Sequence, residues 1–276
     1  MLNLFFVGID RTKKLNNGIN IFNFFAFFFI ILPIFIVIYH AFNQANGIEN
    51  NVAAVNMSNV KITIKSLYVA FVTVLFVFLL GYPFAYFVSE VESKKVKSLL
   101  ILLISSPLWS SYFVKLLGLK TFFDLLYGSS NSTSGIIYVI IGLVYIHLPI
   151  AILSFYNVLT QLPRNLINAS YDLGSTPPET FSQIILPYTK EALLSAIFLV
   201  FLPAFTTVTV ADFMDRSPGG SMIGQVINNF IIVDISGSLP KSRASFLTLF
   251  VSSIVFLVYF LVKFLPKFLQ QKKDND

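Results

Sequence analysis

Not one cysteine occurs among the 276 residues, so disulfides, thiolate metal sites and cysteine nucleophiles are excluded. Charge is scarce as well. Asp, Glu, Lys and Arg make up 12% of the chain, against 56% hydrophobic residues and a mean hydropathy of +0.79. That balance is foreign to a water-soluble domain and marks an integral membrane protein. No G-x-x-x-x-G-K-[ST] run is present, so nothing in the chain argues for ATP hydrolysis of its own. The histidines, His40 and His147, lie at no metal-ligand spacing from acids or from each other and read as interfacial or interhelical hydrogen-bonding residues. No Gly-x-Ser-x-Gly elbow marks a hydrolase. The apolar segments also lack the buried acids and arginines of a proton- or sodium-coupled carrier. No catalytic residue, metal or cofactor is therefore expected on this chain.

What the sequence has in abundance is apolar runs of about 20 residues, the length that crosses a bilayer. They predict about six transmembrane helices in an all-α membrane protein, over roughly 22–42, 62–88, 98–119, 135–159, 192–214 and 244–264. Gly81-Tyr82-Pro83 predicts a kink in the second, and His147-Leu148-Pro149 an interruption of the fourth. Neighbouring helices can re-satisfy the carbonyls that such prolines free. A polar N-terminal segment (1–21) and a C-terminal tail (266–276) flank a single membrane domain (22–265). A Gly-Ser-rich loop ends the 120–134 connection, and Pro218-Gly219-Gly220 turns the 215–243 segment.

One polar stretch stands apart, QLPRNLINASYDLGSTPPETFSQIILP over 161–187. A connection this long inside a compact membrane domain should have a function. Pro163 suits a first helical turn, and Leu162, Leu166, Ala169 and Leu173 fall on one helical face. Gly174 supplies a helix stop in the left-handed conformation. Thr176-Pro177-Pro178-Glu179 restarts the chain as a capping box, Glu179 reaching back to Thr176, and Pro187 is expected to close the second helix. Two capped helices at a fixed angle make a rigid knob, suited to mechanical docking.

Basic residues set the orientation. An internal N-terminus gathers Arg11, Lys13, Lys14, Lys94, Lys95, Lys97, Arg164, Lys190 and the lysines after 262 on the cytoplasmic side. The smaller outer set includes Lys61, Lys115, Arg216 and Arg243. Both termini and the knob are then cytoplasmic, on the side where ATP is. The +6 net charge is explained by this placement, with no nucleic-acid partner.

The knob resembles the EAA loop of ABC-importer permeases, whose pattern is Glu-Ala-Ala, three residues, Gly, nine residues, Ile-x-Leu-Pro. At matching spacing stand Asn168-Ala169-Ser170, Asp172-Leu173-Gly174 and Ile184-Ile185-Leu186-Pro187. Asn168 replaces the Glu and Ser170 the second Ala. The resemblance implies the transmembrane domain of a type I (MetI-like) importer, with Asn168, Ala169, Ser170, Asp172, Gly174, Pro177, Glu179, Ile184, Leu186 and Pro187 coupling it to an ATPase. It extends to the spermidine/putrescine branch through Leu80-Gly81-Tyr82-Pro83-Phe84-Ala85-Tyr86, Pro107-Leu108-Trp109, Tyr145-Ile146-His147-Leu148-Pro149, Phe201-Leu202-Pro203-Ala204, Val210-Ala211-Asp212 and Met222-Ile223-Gly224. Ala211 stands where that branch carries proline, and 213–218 replaces its compact turn.

The resemblance implies a second permease in a heterodimer, two ATP-binding subunits that carry the ATP and magnesium, an external substrate-binding protein, and alternating access in the bacterial plasma membrane. Asp212, with Thr206, Thr207 and Thr209 before it, is expected at the substrate path: it ends a span and matches the acid of the branch motif. A permease for ferric iron, sulfate or another small solute stays open as an alternative, as does a membrane-embedded enzyme or a scaffold.

Overall fold

The computed structural model describes residues 24–25, 27–42, 51–127, 135–215, 222–232 and 238–273, the last with side chains for 241–261. The basic N-terminal segment, the Gly-Ser stretch 128–134, Pro218-Gly219-Gly220 and residues 274–276 lie outside them. Among the described residues every regular element is a helix: α1 (Phe27–Phe42), α2 (Met57–Glu90), α3 (Lys94–Trp109), α4 (Tyr112–Tyr127), α5 (Ile136–Thr160), α6 (Arg164–Asp172), α7 (Pro177–Phe205), α8 (Thr209–Met214), α9 (Ile223–Ile232) and α10 (Ser238–Lys273). The described residues divide into two compact units, 58–226 on the one hand and those of 1–57 and 227–276 on the other.

In the terminal unit α1 packs along α10, with Phe42 edge-on to Phe246 at 6.2 Å between centroids. Buried Asn51 donates to the Ala41 carbonyl at 3.1 Å. α10 carries its helix to Lys273, past the expected end near Phe264.

Helices α2, α5, α7 and the 241–261 stretch of α10 are each long and apolar enough to cross a bilayer. Residues 94–126 pass the same test only as a pair bent by 92°, so the expected span over 98–119 holds a sharp break. Pro107 tightens the chain into a 3-10 turn and Ser110 is extended (ψ 147°), which redirects the next helix. The expected interruption of α5 is absent, and Pro149 sits inside a continuous helix. His147 Nε2 is buried there with no hydrogen-bond partner.

The expected fifth span, 192–214, is also corrected. α7 begins at Pro177, runs 29 residues to Phe205 and stops; 206–208 break the helix before the short α8. Pro187 therefore does not end the second loop helix. Its ring would clash with the carbonyl four residues earlier, to which it offers no N–H. A π turn at Phe181–Ile185, with the Leu186 N–H on the Phe181 carbonyl, widens the helix just before the proline and lets it continue.

Burial in α2 shows that its faces are inverted relative to those of a water-soluble helix. Its hidden face is Asn59, Thr63, Ser66, Ala70, Thr73 and Val77, spaced four and three apart, while Phe71, Phe76, Leu79 and Phe87 face outward. Small and hydroxylated residues let membrane helices approach closely, and bulky apolar ones suit lipid. Thr63 and Ser66 satisfy their hydroxyls on the Asn59 and Ile62 carbonyls, at 2.7 and 2.9 Å.

Candidate functional site

The knob assembles from its two caps inward. At the end of α6 the Ser175 N–H donates to the Ser170 carbonyl (3.0 Å) and the Gly174 N–H to the Tyr171 carbonyl (2.9 Å). These are the paired bonds of a Schellman motif, which needs a left-handed residue after the helix. Gly174 has that conformation, at φ +86°. Two residues on, the Glu179 carboxylate accepts from the Thr176 N–H and hydroxyl, both at 2.8 Å, and closes the capping box on Pro177. Stop and restart are thus fixed within six residues.

The two arms are also joined sideways. The Ser170 and Thr180 hydroxyls share a hydrogen bond of 2.5 Å, with the residues 3% and 1% exposed. Ser170 is the position at which the resemblance sets alanine, so this sequence places a polar bolt where a methyl would pack. Ser170→Ala should cost about 1 kcal/mol, because it leaves the Thr180 hydroxyl buried without its partner, whereas adding Thr180→Val should recover most of the loss. A double-mutant cycle on the thermal midpoint of the purified chain checks this, with coupling between the sites as the expected result.

Burial splits the row that the spacing picked out. Ile167, Ser170 and the preceding Leu162 are buried, whereas Leu166, Ala169 and Leu173 are exposed, Leu173 by 87%. Asn168, Asp172, Pro177, Glu179, Leu186 and Pro187 are exposed too, Ile184 is half-buried and Ile185 is buried. Of that row, Leu162 enters the core, and Leu166, Ala169 and Leu173 point away from it. Ile167 and Ile185 enter that core with Tyr82 and Ala85 of α2, Phe155 of α5 and Leu193 of α7. Phe181 packs edge-on to Tyr82 and Tyr86, with centroids 5.7 and 5.9 Å away. The knob is thus the end of the helical core.

A polar clamp that sequence reasoning missed fastens α6 to the end of α2. Arg164 Nη1 donates to Glu90 Oε1 and Oε2 at 2.8 and 2.6 Å, and Nη2 donates to the Ser89 carbonyl at 3.1 Å. Lys97 Nζ reaches the same carbonyl at 2.9 Å. That carbonyl is among those a helix end leaves without an intrahelical donor, and cations are favoured at this pole. Seventy-four positions separate the partners, so nothing in the local sequence signals the pair.

The predicted path residues lie at the break after α7. Asp212 and Thr206 are exposed, Thr209 is half-buried and Thr207 is buried. The Thr206 hydroxyl is turned to the Leu202 carbonyl at 2.9 Å. Gln225, 5% exposed, donates from Nε2 to Asp212 Oδ1 at 2.5 Å and accepts the Met222 N–H on Oε1 at 3.1 Å. The Ile223 N–H donates to Ser66 Oγ at 2.8 Å, tying the start of α9 to α2. A Cβ on Gly224 would stand 2.2 Å from the Thr206 carbonyl oxygen and 2.7 Å from that of Thr207. α9 therefore begins against the Thr206 and Thr207 carbonyls of the break, at a distance only glycine permits. Among the described residues no group of three or more His, Cys, Asp or Glu could hold a metal ion.

Among the described residues, helices long and apolar enough to cross a bilayer thus share one core with a polar loop fixed by two caps. Solved structures share the fold: a chain of the MetNI methionine ABC transporter (TM-score 0.57, 18% identity, 74% of this chain and 94% of that one) and a chain of a bacterial ABC transporter that imports alginate (0.64, 14%, 92% and 96%). The chain belongs to the family of binding-protein-dependent transport system inner membrane components, which matches residues 5–274. It is thus a permease subunit of an ABC importer in the bacterial plasma membrane, working with ATPase partners and not itself an enzyme.

Similar proteins include the spermidine/putrescine transport system permease protein PotB homolog of Mycoplasma genitalium, 36% identical over 67% of this chain and 67% of the relative. The homolog from Mycoplasma pneumoniae is 36% identical over 64% of each. PotB of Haemophilus influenzae is 28% identical over 83% of this chain and 87% of its own. The chain thus spans about two thirds of the length of the two mycoplasmal relatives.

Proposed function

We propose that this chain is the B-type permease of a polyamine importer, and that residues 161–187 are the element through which the ATPase drives it. One observation carries the coupling assignment: a loop fixed by two caps shares a continuous core with α2, α5 and α7. The exposed row Leu166, Ala169 and Leu173, flanked by Asn168 and Asp172, would meet the ATPase. Gly174, Pro177, Glu179, Ile184, Leu186 and Pro187 would hold that row in place. A single permease domain over 22–265, both termini in the cytoplasm, a heterodimer with a second permease, two ATP-binding subunits and an external binding protein complete the assembly. Closure on ATP moves the knob, and the spans tilt to open the path outward.

The polyamine assignment rests on the named relatives and on an exposed carboxylate, Asp212, held by Gln225 beside the helix break. A carboxylate about 4 Å from an ammonium gains roughly 4 kcal/mol at an effective dielectric of 20, before desolvation is subtracted. One such contact orients an amine without trapping it. Asp212→Asn keeps the shape and the bond from Gln225 while removing the charge. It should raise the apparent KM for spermidine about tenfold, equivalent to ~1.4 kcal/mol, with the binding protein still docking and basal ATP hydrolysis intact. Unchanged uptake, or lost docking, refutes the role of Asp212. The function as a whole is tested by reconstituting the co-purified complex and asking which solutes stimulate its ATPase. Spermidine or putrescine should, and stimulation by ferric iron or sulfate instead would overturn the assignment.

A further inference from the structure

We infer that Arg164 is a positioning residue that locks the coupling loop in register with the inner end of α2, and that its clamp on Glu90 and Ser89 keeps ATP hydrolysis tied to solute movement. The inference rests on the proposed docking of residues 161–187 onto an ATPase, but not on which solute is carried.

Two attachments seat α6. The first is apolar: Ile167, and Leu162 just before the helix, are buried in the core that also contains Tyr82 and Ala85 of α2. Such contacts resist separation, but apolar surfaces are non-directional and tolerate a small slide or rotation of one helix over another. The second is directional. Arg164 is the first residue of α6 and Glu90 the last of α2, so the ion pair joins the end of one helix to the start of the other. The guanidinium is planar, and its donors point in fixed directions, so gripping both carboxylate oxygens and the Ser89 carbonyl sets an angle as well as a distance. Lys97 adds a tie from α3 to the same carbonyl, so three helices meet at one point.

The clamp lies at the surface, with the Arg164 and Glu90 side chains 54% and 39% exposed. An exposed pair contributes little to folding. Its value lies in what it aligns. With the clamp intact, a push on α6 turns the end of α2. With it cut, the loop can yield against its apolar seat and the push is partly lost. The predicted defect is therefore slippage: ATP consumed without solute moved.

The test uses the complex of this chain with its partner permease, ATPase subunits and binding protein, reconstituted in liposomes with ATP inside. Spermidine uptake and ATP hydrolysis are measured on the same vesicles, and ATPase content on gels of the purified complex. Arg164→Ala and Glu90→Ala should each retain the ATPase subunits and most of the hydrolysis while solute moved per ATP falls about fivefold, as a weak but directional contact permits. Arg164→Lys keeps the charge but loses the fork, and should rescue only partly. The charge-reversed pair Arg164→Glu with Glu90→Arg should restore coupling toward the parent value. An unchanged ratio in the alanine variants, a parallel fall of uptake and hydrolysis, or a reversed pair no better than its single variants overturns the inference. If the alanine variants do not assemble, the reversed pair alone decides. Failure of the underlying proposal looks different: the parent complex would then keep its ATPase when the loop is disrupted at Gly174.

Discussion

Gly224→Ala is expected to abolish uptake and to lower the thermal midpoint of the purified complex by several degrees, with the ATPase subunits still attached. The added methyl would stand 2.2 Å from the Thr206 carbonyl oxygen, 2.8 Å from its carbon and 2.7 Å from the Thr207 oxygen. All three are backbone atoms, so no side chain can turn aside. The start of α9 must retreat, and two bonds hold it where it is: the Ile223 N–H on Ser66 Oγ and the Met222 N–H on Gln225. Overpacking costs about 1–3 kcal/mol, and a buried N–H pulled off its acceptor costs about as much again. Retreat also carries Gln225 away from Asp212 and so spoils the carboxylate proposed for the path. Gly118→Ala is the control, since its Cβ would meet nothing within 4 Å and the site lies inside a helix. There alanine should be neutral or stabilising by about 0.5–1 kcal/mol. Equal behaviour of the two variants would refute the proposed packing at the break.

Gly174→Val should leave the chain in the membrane but prevent ATPase assembly or uptake. Space is not the obstacle, because nothing lies within 4 Å of a Cβ built there. The cost is in the backbone. At φ +86° a β-branched residue is strained by about 1–2 kcal/mol, and relief means abandoning the left-handed turn. The Ser175 and Gly174 N–H groups then leave the Ser170 and Tyr171 carbonyls, and the second arm swings away from the first. Asparagine adopts this conformation far more readily. Gly174→Asn should therefore keep most function, and Gly174→Ala should fall between. Pull-down of the ATPase subunits with each variant reads the order directly. A valine variant that assembles and transports normally would remove the loop from the mechanism.

Local chemistry was legible in the sequence wherever short-range rules decide. Gly174, the Thr176–Glu179 box and the helical character of the apolar runs all depend on neighbours within a few positions, and the structure has each of them. Direction was not legible. Leu162, Leu166, Ala169 and Leu173 were the expected row, yet an apolar row on a short loop helix fits equally well against its own core or against a partner, and only Leu162 is buried. Ser170 looks like a surface residue until Thr180 is seen beside it. Pro187 reads as a terminator because proline usually is one, and only the π turn ahead of it explains the continuous α7. The break after Phe205 was hidden by an apolar run that continues through Val208 and Val210. In α2 the signal was present but inverted, with Thr63, Ser66 and Thr73 marking the inside. The clamp of Arg164 on Glu90 depends on topology alone.

The outward row on α6 also bears on how the cell makes this protein. Leu173 at 87% exposed and Leu166 at 41% leave an oily spot on an otherwise polar loop, of the kind that invites aggregation or chaperone capture when bare. Under the proposed docking, each newly inserted copy carries that spot until an ATPase subunit covers it. Co-expression of the ATPase subunits should therefore raise the amount of intact permease recovered from membranes, as read on immunoblots. Synthesis in matched numbers becomes a requirement written into three side chains, two on a nine-residue helix and one, Leu173, at its C-cap.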